Sequence, residues 1–330
     1  MTVTSAGTGN RLDIIIPTYN RNQNLVDLLR SLIPSVETYP QNVLYTIIDN
    51  KSDESVENTI TSQYPELMNC NFLSVIRNES NIGMSANIMK CFEISSADWV
   101  WVIGDDDPLT FDSLQLVISS ISRVDDDVIF INFNSPWVSR TKNLEFYGLE
   151  DFVTNLDSFK NSIFLPTTVY RNSSIKSYIH LARTQLKTLI PHFGLQLLAL
   201  NESAKHKVLL SQEYIFQELE FSSETSWSVL DFQINKPELL KLPLNISKKV
   251  HNNLENLILG DCQPLKWYAK LAYEKKKPLS ELKFKLRQIF ERNKMYKRGK
   301  SMKVILSNWL TYLLCYNTFL LSKFIKENHE

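Results

Sequence analysis

Glycine is scarce in this chain, with eight residues in 330. Neither the G-x-G-x-x-G turn of dinucleotide-binding folds nor the G-x-x-x-x-G-K-[ST] phosphate loop occurs, so a Gly-rich phosphate cradle is excluded. Cysteine is also sparse. Cys70, Cys91, Cys262 and Cys315 are isolated, with no C-x-x-C pair and no histidine placed to complete a zinc pattern. They suit small apolar side chains in a reducing cytosol, not a disulfide framework. The first ten residues, MTVTSAGTGN, lack the apolar stretch of a signal peptide, which leads to the expectation of a cytoplasmic location. Net charge is missing too, since 36 Lys+Arg balance 36 Asp+Glu.

That balance conceals an asymmetry. Residues 1–160 carry 22 acidic and 10 basic side chains, whereas residues 270–303 carry 13 Lys/Arg against three Glu. A segment that basic expects an anionic partner, either nucleic acid or membrane lipid. No recognised nucleic-acid motif occurs, so no nucleic-acid partner is expected. With 43% hydrophobic and 22% charged residues, the composition is that of a globular protein with a sizeable core.

Hydrophobic periodicity alternates between strand and helix through the first half. Strands are expected at Leu12–Pro17, Val43–Ile48, Phe72–Arg77, Trp99–Ile103 and Val128–Phe133. Helices are expected at Asn24–Ser35, Met84–Ile94 and Phe111–Ile121. Further on, Ile163–Val169 reads as a strand, and Leu189–Leu200 and Gln212–Glu220 read as helices. The fold class is therefore α/β, a mostly parallel sheet flanked by helices over residues 1–245. A helical, basic extension follows over 246–330.

The chemistry lies at the strand ends. In open parallel sheets, ligands bind beyond the carboxyl ends of the strands. Here those ends are Thr18-Tyr19-Asn20-Arg21, Asp49-Asn50 and Asp105-Asp106-Asp107. Two carboxylates ~4 Å apart repel by a few kcal/mol at an effective dielectric of ~20, and a divalent cation would remove that cost. Hard oxygen ligands with few protein contacts suit Mg²⁺ or Mn²⁺. A solvated turn capping the helix near Thr110 is the alternative. Asp125-Asp126-Asp127 precedes a strand and reads as a surface turn.

Taken together, these residues resemble family 2 glycosyltransferases with the GT-A fold. Ile14-Ile15-Ile16-Pro17-Thr18-Tyr19-Asn20-Arg21 is similar to the opening of that family. Ile48-Asp49-Asn50-Lys51-Ser52-Asp53 resembles its second signature, Asn81-Ile82-Gly83 with Asn87 its third, and Trp101–Asp107 its metal motif. The Gly-Asp-Asp-Asp ending is most similar to members that build bacterial surface polysaccharides, abequosyltransferase-like enzymes among them. The resemblance implies transfer of a hexose-type sugar from a nucleoside-diphosphate-sugar donor to a glycan or lipid-linked glycan hydroxyl, with inversion and a divalent metal. It implies that Pro17, Thr18, Tyr19 and Arg21 lie along the nucleotide, and that Asp49 accepts hydrogen bonds from the base. Asn81 and Asn87 would line the pocket, Asp105 would contact ribose or sugar, and Asp106 and Asp107 would hold the metal.

Two departures stand out. The family's metal pattern has an aspartate where this chain has Gly104. The acidic pair that usually supplies the base at the start of a later helix is absent, and His192 occupies that place as candidate base or acceptor-site residue. Glu202, Glu150 and Asp151 are the alternatives to it. Arg171 would meet a phosphate or a surface ion pair. A nucleotidyltransferase and a non-catalytic binding scaffold remain rival functions, although the glycine-free stretch Thr18–Asn22 disfavours the former.

Val304–Ser322 is 19 residues without a charge. As one helix it would be ~28 Å long, near a hydrocarbon core. Ser307, Asn308, Thr311, Cys315, Thr318 and Ser322 form a polar stripe along it, which argues against simple spanning. Two other readings stay open: a helix packed on its own domain or on a second copy in a homo-oligomer, and an interfacial helix that with its basic approach over 270–326 meets anionic lipid at the cytoplasmic face of the inner membrane.

Overall fold

The computed structural model describes residues 11–36, 42–65, 72–107, 109–217, 229–260, 262–274, 278–293 and 302–327. The described residues fall into two compact units. One is drawn from Met1–Leu186 and Pro191–Phe221, the other from Lys187–Ile190 and Ser222–Glu330.

The first unit is built on an eight-stranded sheet. β1 (Leu12–Thr18), β2 (Val43–Asp49), β3 (Leu73–Arg77) and β4 (Trp99–Val102) are separated by α1 (Asn22–Val36), α2 (Val56–Gln63) and α3 (Met84–Ile94). α4 (Ser113–Arg123) leads into β5 (Val128–Asn134), and β6 (Leu144–Tyr147), α5 (Gly148–Asn155) and α6 (Phe159–Ile163) follow. β7 (Thr168–Arg171), α7 (Asn172–Ile175), α8 (Ile179–Ala182), α9 (Pro191–Glu202) and β8 (Lys207–Tyr214) complete the unit. All of β4 and β5 is buried, as expected of strands covered on both faces.

The strand order is β3-β2-β1-β4-β7-β5-β8-β6. β3, β2, β1 and β4 are parallel; β7 runs antiparallel between β4 and β5; β5 and β8 are parallel, and β6 is antiparallel on the edge. Six strands, β1 to β5 and β8, therefore end at one rim. Two expectations need correction. Leu165–Thr167 is a 3-10 turn, so β7 starts only at Thr168. The helix expected at Gln212–Glu220 is instead strand as far as Tyr214, with 218–220 outside the described residues. The apolar Val208–Leu210 run pairs with β5 on one side and β6 on the other, and that tertiary pairing overrides local helix spacing.

The second unit is helical: α10 (Val229–Asn235), α11 (Lys248–Gly260), α12 (Leu265–Glu274), α13 (Leu279–Arg292), α14 (Met302–Leu314) and α15 (Thr318–Glu327). Its core includes Leu230, Leu265, Tyr268, Leu286 and Ile289. The uncharged run is not one helix. It breaks at Cys315–Asn317, where Asn317 Oδ1 accepts the Leu320 N–H (3.1 Å) and caps the start of α15. Among the described residues no helix is long and apolar enough to cross a membrane.

Candidate functional site

Sheet register aligns the strand ends. Thr18 lies opposite Asp49, and Asp49 opposite Arg77, across β1, β2 and β3. β4 leaves the sheet at Val102, opposite Ile15 and three residues short of Thr18, so the following turn folds back over the end of β1. There Thr18 Oγ1 donates to Asp105 Oδ2 (2.5 Å), and Arg21 Nη1 donates to Asp105 Oδ1 (3.1 Å) and Asp106 Oδ2 (2.5 Å). The Gly104 N–H donates to Asp107 Oδ2 (2.5 Å).

Asp105 is buried, Asp106 exposed and Asp107 intermediate. Burial pushes the Asp105 carboxyl up, against the pull of Thr18 and Arg21. Burial pushes Asp107 up to about 7; the Gly104 N–H counters this, while Asp106 and Asp105 add to it. The cluster is thus short of positive charge even with Arg21 in place. Gly104 is what makes room for it. A Cβ there would stand 2.9 Å from Asp107 Oδ2 and 3.2 Å from Asp106 Oδ1.

The wall beside the cluster is held from behind. Asn20 takes a left-handed φ of 53°, which asparagine tolerates better than most residues. Its N–H donates to Ser52 Oγ (2.9 Å), and its side-chain oxygen accepts the Asp53 N–H (2.8 Å). This turn leaves the Tyr19 ring 42% exposed on the rim, above the half-buried Pro17. Asp49 is fully buried. It accepts the Ser52 N–H (2.7 Å) and an ion pair from Arg77, whose other nitrogen donates to Ser52 O (2.6 Å). Asn87 is buried as well, accepting from Asn78 Nδ2 (2.9 Å) and donating to Ile48 O (3.3 Å). Asn81 is exposed; its side-chain oxygen accepts from Asn50 Nδ2 (2.9 Å) and from the Gly83 N–H (2.8 Å).

His192 stands in the first turn of α9, 3% exposed. Its Nε2 is 2.9 Å from Ile163 O, an arrangement that makes Nε2 the donor, and Nδ1 is buried with no hydrogen-bond partner among the described residues. Burial lowers its pKa to about 4, so the ring is neutral near pH 7. The alternative carboxylates lie elsewhere. Glu150 and Asp151 start α5, just after the β6 end that pairs with the beginning of β8, at the opposite rim. Glu202 ends α9, where it bonds Tyr178 Oη. Arg171 pairs with the start of β4, also at the opposite rim. There its Nη1 meets Asp126 (3.4 Å) and its Nη2 donates to Asp125 O (2.7 Å), an ion pair with the surface turn and not a phosphate contact.

Arg77 and Asn78 had no role in the sequence reading, and Asn50 and Ser52 entered it only as members of the turn after β2. Arg77 carried a signal, as a lone cation ending an apolar strand in the position Asp49 holds on β2. Asn78 carried none, because a short polar residue after a strand reads as an ordinary turn.

Comparison with known proteins bears on the family and the fold. The chain is 33% identical over 107 residues to abequosyltransferase RfbV of Salmonella typhimurium, covering 32% of this chain and 31% of that protein, so the match spans about a third of the relative's length. In fold it resembles S. aureus TarS 1–349 in complex with UDP-GlcNAc, with TM-score 0.61, 14% identity and coverage of 94% of this chain and 91% of that one. It also resembles the mannosyltransferase PcManGT of Pyrobaculum calidifontis in complex with GDP-Man and Mn²⁺, with TM-score 0.50, 10% identity and coverage of 98% and 88%. Residues 13–198, more than half of the sequence, match the family model for glycosyl transferase family 2, and the chain belongs to that family, on a GT-A-like fold.

Proposed function

We propose that this chain transfers a sugar from a nucleoside-diphosphate-sugar to a hydroxyl of a glycan or lipid-linked glycan, with a divalent metal and inversion at the sugar carbon. The observation that carries this reading is the convergence of Thr18, Arg21 and three aspartates on the rim where β1 and β4 end, beside the exposed Tyr19 ring. The names of the relatives agree with it: one is an abequosyltransferase, and two fold neighbours hold UDP-GlcNAc or GDP-Man.

Among the described residues no three His, Cys, Asp or Glu side chains come together as a metal cage. Mg²⁺ and Mn²⁺ usually take one or two carboxylates and fill the rest of the shell with water and substrate phosphate. Asp106 and Asp107, crowded beside Asp105, fit that mode. A cation bound there would neutralise the departing diphosphate. Tyr19 lies against the base, and Arg21 moves from the carboxylates to the diphosphate. Asp49 and Asn87 support the pocket from behind, while Asn81 faces it. A cytoplasmic site of action, at the membrane face for a lipid-linked acceptor, goes with this reading.

The test is a thermal-shift screen of nucleotide-sugars with and without Mn²⁺, followed by release of free sugar. A donor at 100 times its Kd stabilises by ~2.7 kcal/mol. No shift with any nucleotide-sugar, and no Mn²⁺ dependence, would overturn the proposal.

A further inference from the structure

In a soluble helix the apolar face turns inward and the polar face outward. α14 reverses much of this arrangement. Its fully buried residues are Asn308 and Thr311, followed by Cys315 in the turn after it, while Tyr312 and Leu314 pack in part against the core. Asn308 Oδ1 accepts the Leu265 N–H (3.1 Å), Thr311 Oγ1 donates to Ser307 O (2.9 Å), and Cys315 Sγ donates to Thr311 O (3.1 Å). The outward positions recur at helical spacing as Met302, Leu306, Trp309, Leu310 and Leu313, with Tyr316 in the turn just after, each between 44% and 69% exposed. Leu320 at the next turn of chain is 46% exposed. An apolar stripe this continuous marks an interaction surface.

Charge decides the occupant. The stripe follows directly on residues 270–303, with 13 Lys/Arg against three Glu, and exposed Lys303 stands at its edge one turn before Leu306. A second copy docked on the same face would set one basic segment against another. An anionic bilayer offers both an apolar interior for the leucines and a complementary surface for the lysines. Trp309 and Tyr316 are the side chains that favour the headgroup boundary. We propose that the outward face of α14 lies in the surface of an anionic membrane, parallel to it, with the helix's polar stripe kept against the protein.

Co-sedimentation of the full chain with vesicles of phosphatidylcholine, alone or mixed with phosphatidylglycerol, tests this directly. The expected result is binding to the mixed vesicles that weakens as salt screens the lysines, and little binding to phosphatidylcholine alone. Leu306→Ser combined with Leu313→Ser should cut binding roughly ten-fold or more, with melting temperature unchanged because both side chains already face solvent. Binding that survives this double substitution would overturn the proposal, as would the absence of binding to either vesicle. Concentration-dependent self-association abolished by the same double substitution would assign the face to a second copy instead. Vesicle binding needs no sugar donor, so it fails or holds independently of the transferase reading.

Discussion

Arg21 and Asp106 form a direct ion pair, Nη1 to Oδ2 at 2.5 Å, and the same nitrogen reaches Asp105 at 3.1 Å. Arg21 is partly exposed and the Asp106 side chain about half exposed, and pairs of that kind contribute only ~0–1 kcal/mol. The guanidinium therefore offsets part of the carboxylates' charge without locking them. A cation bound at Asp106 would compete with Arg21 for the same oxygens, and Arg21 released from them would be free for a diphosphate. Arg21→Ala is expected to raise donor-free Mn²⁺ affinity by a few-fold, corresponding to ~1 kcal/mol, while lowering affinity for a nucleoside diphosphate. Titration calorimetry with Mn²⁺ alone and then with nucleotide reads both. Losses of equal size in both would contradict the competition.

Gly104 yields a second prediction. The family's aspartate at this position is replaced by the residue whose missing Cβ leaves 2.9 Å to Asp107 Oδ2. Gly104→Ala should force the Asp107 carboxylate to rotate, since the end of a side chain yields before backbone does. Mn²⁺-dependent donor binding is expected to fall about ten-fold, equivalent to ~1.4 kcal/mol, with melting temperature nearly unchanged. A large loss of melting temperature would mean that the turn itself had been disrupted.

The sequence made the parallel half of the sheet legible because β1, β2 and β4 are apolar runs closed by polar turns, a pattern that burial on both faces requires. It also located Thr18, Arg21 and Asp105–Asp107 at one rim, since parallel strands share a direction. It could not supply the register that sets Asp49 against Arg77 and folds Asp105 back onto Thr18, because register depends on pairing between distant segments. β8 was misread for the same reason: Gln212–Tyr214 belong to a strand because Val208–Leu210 pair on both sides. The break at Cys315 depends on Asn317 capping α15, and an asparagine in an apolar run does not announce that role by itself.

His192 carries a pH signature. With its pKa lowered by burial to about 4, the folded state binds fewer protons than the unfolded state between that value and the ordinary ~6.5. Stability from this group is therefore complete above ~6.5 and falls as pH drops toward 4, by up to about 1.4 kcal/mol per pH unit. Urea midpoints of wild type and His192→Gln across that range should converge at low pH if the slope belongs to His192. Turnover near pH 7 separates the roles. A ring that only packs α9 leaves kcat within a few-fold in the variant, whereas a base would lose roughly 10²–10⁴.

Asp49 distinguishes the family's expectation from the geometry. If its carboxylate received the base directly, Asp49→Ala would weaken nucleotide binding and leave the fold intact, and Arg77→Ala would change neither. In the structure Asp49 is fully buried, and its oxygens meet the Ser52 N–H and Arg77. Arg77 in turn holds Ser52 O, and Ser52 Oγ fixes the Asn20 N–H behind Tyr19. Removing either charge should therefore loosen the turn that presents the Tyr19 ring. Breaking a buried pair costs ~3–5 kcal/mol, but the Arg77 side chain is 29% exposed, so about 1–3 kcal/mol is expected after screening by solvent. Asp49→Ala and Arg77→Ala should each lower the urea midpoint and nucleotide affinity together, and the double variant should lose little more than either single one. That non-additivity marks two residues acting through one contact. Urea melts and nucleotide titrations on the three variants measure it. Additive losses, or an Arg77→Ala protein with unchanged affinity, would return Asp49 to the base-binding role.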